Sequence, residues 1–230
     1  RPGPAVVFVH GNAGTLPDHE GFCDFVPPAG VSVLLFDYRS YGRSDPSPGR
    51  LKRDALMRDA RAALAYVRTR PDVDAARIGV MGMSLGGVFA TRLAAENADV
   101  RGVVVVAGFS TWGGVAGDQV PGVGAVLGPL LISGGLEPRD SLREMGRTKP
   151  GRPVLLVHGD RDGIVSIRHA GVLEKAAREG GSVVERIDVA GAGHVTMLDG
   201  DAERARVAEF WERVLAVPAR EKGGKMNTGG

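Results

Sequence analysis

The G-x-S-x-G pattern at residues 82–86 gives Ser84 the surroundings of a nucleophile. An apolar, strand-like run precedes the pattern and a helix-like run follows it, which is the context that the pattern requires. A strand that turns directly into a helix brings neighbouring Cβ atoms together, and glycine removes that collision. The pattern predicts a sharp turn that exposes Ser84 Oγ and leaves the Leu85 N–H free, at a helix N-terminus, to stabilise an oxyanion.

A serine hydroxyl is a weak nucleophile, so it needs a nearby base and an acid that orients the base. Of five histidines, His194 is the best candidate, because the glycine-rich residues 191–194 follow the last predicted strand and can carry an imidazole over the sheet edge. Two carboxylates, Asp160 and Asp162, follow the fifth predicted strand. We favour Asp162 as the acid because it lies further past the strand end, and we expect Asp160 to cap the turn by bonding to its backbone.

The remaining histidines have structural interpretations. His10 and His158 each end a predicted strand and precede a glycine, and we expect these pairs to tie loop backbone together. His19 and His169 lie in segments that we expect at the surface, where their side chains would be solvated.

Apolar, β-branched runs alternate with helix-like segments along most of the chain. This alternation predicts an α/β protein with a mostly parallel central sheet and helices on both faces. Ligands of such sheets bind at the carboxyl ends of the strands, so candidate groups that follow strands should meet at one edge. Strands are predicted at residues 5–10, 31–36, 77–83, 102–107, 153–158 and 182–189, and helices at residues 51–70, 85–97, 167–179 and 201–217.

The alternation is interrupted once, at residues 109–150, which are rich in glycine and proline and have no clear period. We expect residues 1–217 to form a single domain in which residues 109–150 are a short cap insertion, and residues 218–230 to be a disordered tail. Trp112, Leu127 and Leu130 in the cap would suit an acyl chain as substrate contacts. Packing of the cap onto the body explains them equally well.

The order Ser84, Asp162, His194 along the chain is the order found in α/β hydrolases. Five motifs carry the likeness, at residues 10–14 (H-G-N-A-G), 37–44, 82–87, 159–162 and 193–194. Together they resemble the α/β-hydrolase fold, and in particular its esterase and thioesterase branch with an H-G-N-A-G loop. The resemblance implies that the Asn12 N–H, with Ala13 as the neighbouring possibility, joins Leu85 in an oxyanion hole. The family normally has further strands before the H-G-N-A-G strand, whereas only residues 1–4 precede it here, and a trimmed sequence is the simpler explanation.

Composition narrows the classes of partner. The formal net charge of +2 arises from 29 basic and 27 acidic residues, which suggests neither nucleic-acid binding nor a polybasic membrane anchor. Cys23 is the only cysteine, so no disulfide can form within the chain, and we expect a buried, inert thiol. No metal-binding pattern and no dinucleotide loop is recognisable, so we expect no metal and no cofactor.

The sequence thus predicts a serine hydrolase that cleaves carboxylic esters or thioesters through an acyl-enzyme on Ser84, with a small-molecule ester or acyl compound as substrate. A serine peptidase of the same fold and a non-catalytic binding protein with this fold are the alternatives. No long apolar run and no signal peptide is visible, which makes a cytoplasmic location the default expectation. The chain begins at Arg1, so an upstream targeting segment and membrane association stay open.

Overall fold

The computed structural model describes residues 1–119 and 135–217, and its centre is one sheet of six parallel strands. The strand order is β2-β1-β3-β4-β5-β6, so every neighbouring pair needs a crossover connection. The predicted parallel α/β sheet is therefore confirmed. The strands are β1 Gly3–Val9, β2 Ser32–Leu35, β3 Val73–Met83, β4 Val103–Val106, β5 Pro153–Gly159 and β6 Val183–Val189.

Helices fill the crossovers and cover both faces of the sheet. Two single turns of 3-10 helix, Glu20–Phe22 and Pro27–Ala29, lie between β1 and β2. The α-helices are α1 Leu16–His19, α2 Arg53–Thr69, α3 Leu85–Glu96, α4 Trp112–Gln119, α5 Pro138–Thr148, α6 Arg168–Gly180 and α7 Asp201–Val214. None of the helices in the described part of the chain is both long and apolar enough to cross a membrane.

The core consists of two apolar layers, one on each face of the sheet. Successive strand residues point to opposite faces. In β1, Val7 packs with the layer under α2, α3, α5 and α6, whereas Val6 and Phe8 pack with the layer under α7. Burial on both faces explains why the central strands read as continuous apolar runs, such as the four valines of Val103–Val106.

The part of the predicted cap that follows residue 134 differs from the prediction. Pro138–Thr148 is a regular helix that packs against α3 and α6, so it belongs to the helical layer over the sheet. Leu142 and Met145 are fully buried, and a Cβ on Gly146 would lie 2.6 Å from the Gly180 carbonyl carbon. Close approach of the two helices therefore depends on glycine, which a search for apolar periodicity does not register.

Candidate active site

Ser84 lies on a strained turn between β3 and α3. Its backbone has φ 51° and ψ −116°, a combination that L-residues with a side chain rarely adopt. The Ser84 N–H donates to the Val106 carbonyl of the neighbouring strand at 2.8 Å, which ties the turn to the sheet edge. A Cβ on Gly82 would overlap the backbone of Gly86, so the glycines on both sides of the serine are required by close backbone packing.

Asp162 and His194 meet at the same edge of the sheet. His194 Nδ1 lies 2.8 Å from Asp162 Oδ2, with the Asp162 side chain fully buried and the His194 side chain about one tenth exposed. Because a carboxylate only accepts hydrogen bonds, Nδ1 carries the proton in this pair and Nε2 is left as an acceptor. An imidazole in this tautomer can take a proton from a serine hydroxyl.

The Asp162 carboxylate is held ionised by several donors. Its Oδ1 accepts the N–H groups of Ile164 at 2.9 Å and Val165 at 2.8 Å. His158 Nε2 lies 3.3 Å from Oδ2 and donates at 2.8 Å to the Val165 carbonyl. Burial alone would raise the pKa of Asp162, but the hydrogen bonds from two histidines and two backbone N–H groups outweigh it and hold the pKa well below its ordinary value of 3.8.

The loops that carry Asp162 and His194 are joined directly. Asp160 Oδ1 accepts the Gly191 N–H at 2.6 Å, and the Arg161 N–H donates to the Ala192 carbonyl at 3.0 Å. Asp160 therefore bonds to the other loop, whereas we predicted that it would cap its own turn. A Cβ on Gly159 would overlap the Ala192 carbonyl, so the His194 loop crosses directly over the end of β5.

The loop after β1 is positioned beside Ser84 by close packing at Gly86 and Gly11. A Cβ on Gly86 would overlap the Val9 carbonyl oxygen, and a Cβ on Gly11 would lie 3.0 Å from Met83 Sδ. The first turn of α3 thus packs on the end of β1, and Gly11 packs on the residue that precedes Ser84. Because Gly86 and Gly11 have no side chains, β1, the turn at Ser84 (the nucleophile elbow) and the H-G-N-A-G loop can approach closely.

Backbone donors suited to an oxyanion hole lie in this region. Within residues 1–119 and 135–217, the N–H groups of Leu85, Asn12 and Ala13 make no hydrogen bond, whereas the Gly11 N–H donates to His19 Nε2 at 3.3 Å. The Asn12 side chain is held through Tyr41, whose hydroxyl donates to Asn12 Oδ1 at 3.1 Å. The free N–H groups can serve a developing negative charge, and the roles of Asn12 and Leu85 stay a prediction.

His19 has a structural role that the sequence did not reveal. We predicted a solvated side chain, which is wrong: His19 is only 6% exposed. Its Nδ1 donates to the Thr15 carbonyl at 3.1 Å, which leaves Nε2 to accept the Gly11 N–H. The ring therefore holds the peptide that immediately precedes the Asn12 N–H.

A second set of serine, histidine and aspartate lies beside the first. Ser110 Oγ is 2.7 Å from His169 Nδ1, and His169 Nε2 is 3.0 Å from Asp118 Oδ2. The predicted surface position of His169 is wrong, since the residue is 3% exposed, and burial lowers its pKa despite the nearby Asp118 carboxylate. Ser110 is also 3% exposed, and its own N–H donates to the same Nδ1 at 3.1 Å. This set therefore ties α4 and α6 to the end of β4 and presents no accessible hydroxyl.

The predicted substrate contacts are only partly within the described residues. Trp112 opens α4, packs edge-on against Phe109 with ring centroids 4.9 Å apart, and lies under the Arg53 guanidinium at 3.8 Å. Leu127 and Leu130 lie outside the described residues. Contact of Trp112 with an acyl chain stays a prediction.

The buried thiol and the absence of metal-binding clusters complete the inventory of reactive groups. Cys23 is buried, and burial raises the pKa of its thiol to about 12, which makes it a poor nucleophile. Among residues 1–119 and 135–217, no three His, Cys, Asp or Glu side chains are grouped so as to hold a metal ion.

A family comparison agrees with this geometry. The model of the family Hydrolase_4, described as "Serine aminopeptidase, S33", matches residues 1–133. The chain belongs to this family of α/β hydrolases. The match includes the H-G-N-A-G loop and the elbow around Ser84, but ends before Asp162 and His194.

Two curated relatives of the hydrolase are themselves described as uncharacterized proteins. It is 29% identical over 206 residues to the uncharacterized protein YfhR of Salmonella typhi, with 85% of this chain and 65% of that protein covered. It is 34% identical over 200 residues to the uncharacterized protein Rv2307c of Mycobacterium tuberculosis, with 86% of this chain and 66% of that protein covered. The chain thus spans about two thirds of the length of these relatives.

Solved structures support the α/β-hydrolase fold. The esterase Pf2001 of Pyrococcus furiosus superposes with a TM-score of 0.74 at 21% identity, covering 92% of this chain and 82% of that one. The 2,6-dihydroxy-pseudo-oxynicotine hydrolase superposes with a TM-score of 0.72 at 21% identity, covering 94% of this chain and 62% of that one. At these identities the likeness concerns the fold.

Proposed function

We propose that this hydrolase cleaves carboxylic esters or thioesters through an acyl-enzyme on Ser84. The observation that carries the proposal is the strained backbone of Ser84, at φ 51°. Such a conformation costs about 1–3 kcal/mol for a residue with a side chain, and it recurs where the side chain has a function. A glycine at this position would relieve the strain, so the presence of serine indicates that its hydroxyl has a function.

The reaction would proceed in two balanced steps. Ser84 Oγ attacks the acyl carbon while its proton passes to His194 Nε2, and the carbonyl oxygen becomes an oxyanion facing the N–H groups of Leu85 and Asn12. The bond from carbon to the leaving oxygen or sulfur then breaks, and the proton from Nε2 leaves with the alcohol or thiol. Water, deprotonated by His194, repeats the sequence and releases the acid and free Ser84.

Asp162 supports both steps by orienting His194. Its Oδ2 holds the proton on Nδ1 and stabilises the imidazolium that forms in each step. No hydrogen bond joins Ser84 Oγ to His194 among the described residues. Such a bond is commonly long or poorly aligned before substrate binds, and the proposal expects it to form in the complex with substrate.

An apolar acyl pocket is the second part of the proposal. Trp112 together with Leu127 and Leu130 would contact the acyl chain, which predicts that an octanoyl ester reacts with a higher kcat/KM than an acetyl ester of the same alcohol. Equal values for the two esters would contradict the pocket.

The family description makes a serine peptidase the alternative to test. An aminopeptidase needs free carboxylates for the substrate's amino terminus, and the four acidic residues between β4 and β5 are engaged, with Glu144 paired to Arg92 at 2.6 Å. Asp118 binds His169, Glu137 accepts the Trp112 N–H at 2.9 Å, and Asp140 pairs with Arg143 at 2.9 Å. This favours ester over aminoacyl substrates, and a higher rate on aminoacyl anilides than on esters would reverse the preference.

The central test is labelling with a fluorophosphonate probe, followed by mass spectrometry of the modified peptide. We expect the label on Ser84, and we expect it to disappear in Ser84→Ala and His194→Ala. The chain supplies a matched control in Ser110→Ala, because Ser110 is also hydrogen-bonded to a histidine that binds an aspartate. Label on Ser110, or no label on protein shown to be folded by circular dichroism, would refute the proposed function.

A further inference from the structure

A cavity of about 520 Å³ opens beside the candidate active site. Ala13 and Gly14, which directly follow Asn12, form one wall. Val195 and Leu198, in the segment that directly follows His194, form another. The cavity thus adjoins both the segment that carries the proposed oxyanion donor and the segment that carries the proposed base. Its volume is within the range of small-molecule sites, about 300–1,000 Å³.

The position relative to His194 indicates which half of an ester the cavity would receive. In the tetrahedral intermediate, the leaving oxygen must reach His194 Nε2, because it takes its proton from that atom. The oxyanion instead faces the N–H groups of Leu85 and Asn12. The group attached to the leaving oxygen therefore extends towards the His194 loop, and the cavity borders the segment that follows His194.

The walls favour an apolar group. Phe22 and Leu198 line the cavity and are almost completely buried, at 7% and 2% exposed, so they form its fixed walls. Val195 is 59% exposed, so its isopropyl group is available to a ligand at the rim. Each methylene buried against such walls would increase kcat/KM about fourfold, from roughly 0.8 kcal/mol of transfer free energy.

The charges around the cavity are predominantly negative. Asp18 and Asp199 line it, both are exposed, and neither forms a salt bridge among the described residues. Hydrogen bonds from the Thr15 backbone and hydroxyl lower the pKa of Asp18, so it is ionised at neutral pH. The cation of the lining, Arg204, donates to the Leu198 carbonyl and lies 3.5 Å from the carboxylate of Asp24, so its charge is shared.

We propose that this cavity, the alcohol cavity, binds the alcohol portion of the ester substrate and selects neutral or cationic alcohols over anionic ones. The inference rests on the proposed function and narrows it. Thioesters of thiols that bear phosphates, such as coenzyme A, are therefore expected to be poor substrates, because the negative phosphates would approach Asp18 and Asp199. The acyl side of the substrate is not involved.

The steric half of the proposal is tested with butyrate esters of alcohols of increasing size. Val195→Trp adds bulk at the cavity rim, and we expect it to lower the ratio of kcat/KM for 3,3-dimethylbutyl butyrate to that for methyl butyrate at least tenfold. Val183→Trp is the matched control, because Val183 is equally exposed at 57% but lies at the start of β6, far from the carboxyl edge of the sheet. Val183→Trp should leave the ratio at its original value.

The charge half is tested with leaving groups of different charge on the same butyryl group. We expect kcat/KM for S-butyryl-N-acetylcysteamine to exceed that for butyryl-coenzyme A at least tenfold, and butyrylcholine to react at least as well as its neutral isostere, 3,3-dimethylbutyl butyrate. Asp199→Asn should lower the ratio of these two thioester kcat/KM values about fivefold, because it removes the repulsion between two unit charges about 4 Å apart in water. Asp54→Asn, an equal change of charge on α2, should not narrow it.

Hydrolysis of the acyl-enzyme separates the two sides of the substrate, because all butyrate esters give the same butyryl-Ser84. If Val195→Trp slows this step as much as it lowers kcat/KM, the cavity holds the acyl chain and the inference is wrong. Butyryl-coenzyme A that reacts as fast as the neutral thioester would overturn the charge selection. If kcat/KM is the same for all the butyrate esters while the probe still labels Ser84, the alcohol cavity alone is refuted. If no acyl-enzyme forms with any ester, the proposed function is refuted as well.

Discussion

Asp162→Asn is the substitution whose consequence follows most directly from the hydrogen bonds. Asp162 Oδ1 accepts two backbone N–H groups, from Ile164 and Val165, so an asparagine must place its carbonyl oxygen there. Its NH₂ group then occupies the position of Oδ2 and donates to His194 Nδ1. The proton of His194 is thereby transferred to Nε2, where it prevents acceptance of the Ser84 proton.

The expected loss is large because the wrong tautomer removes general-base catalysis while the site keeps its shape. The corresponding substitution in the serine protease triad lowers kcat about 10⁴-fold, and we expect a similar loss here. That corresponds to about 5.5 kcal/mol of transition-state stabilisation. The new NH₂ group also faces His158 Nε2, which donates to the Val165 carbonyl, so two donors oppose each other in a buried site. We expect this contact to lower the free energy of unfolding by about 1–3 kcal/mol.

The assay is steady-state hydrolysis of 4-nitrophenyl butyrate, with urea unfolding measured on the same preparations. Asp160→Asn is the matched control, since an amide oxygen can still accept the Gly191 N–H, and we expect it to keep kcat within about tenfold of the parent protein. The reasoning fails if Asp162→Asn retains more than a hundredth of the activity while folded. It also fails if Asp160→Asn loses as much activity as Asp162→Asn.

Three further expectations concern the framework of the site. Gly86→Ala should give no soluble, active protein, or should lower the free energy of unfolding by several kcal/mol in urea titrations, because the Cβ of the alanine would overlap the Val9 carbonyl. A stable, active variant would contradict this packing. His19→Ala should lower kcat about tenfold or more with little change in KM, because the Gly11 N–H loses its acceptor and the oxyanion peptide is no longer held; a change in KM alone would count against this. Burial lowers the pKa of His169, so below pH 6.5 the unfolded chain binds a proton that the folded chain does not, and the free energy of unfolding should fall as the pH is lowered. In His169→Gln, the midpoint of urea unfolding should change less steeply with pH.

The sequence was sufficient for the sheet and for the acid and base pair, because each of these follows from position along a strand. Continuous β-branched runs located the six strands, and a residue just after a strand must lie at the carboxyl edge. Asp162 and His194 could therefore be paired before any contact was known. The sharp turn at Ser84 was also expected from the glycines around it.

Other parts of the structure depend on contacts that no local pattern encodes. Pro138–Thr148 buries only Pro138, Ser141, Leu142, Met145 and Gly146, and two of these five are small residues that carry no apolar signal. His169 is bound by Ser110 and Asp118, more than fifty residues away, and His19 by Gly11, on the other side of the loop after β1. Such burial can be detected only when the partners, among them Gly11 and Asp118, are known.

The bonds between the Asp160 and His194 loops make the acid and base pair a rigid unit. The Gly191 N–H and the Ala192 carbonyl are both fixed by the loop after β5, so His194 loses little conformational entropy when substrate arrives. The start of the connection between β4 and β5 contributes as well, since Gln119 Nε2 donates to the Ile164 carbonyl at 2.6 Å and the Ser166 N–H donates to Asp118 Oδ2 at 2.9 Å. Homologous enzymes can consequently diverge at the exposed rim of the site to suit new substrates, while these backbone bonds keep the proton-transfer geometry the same.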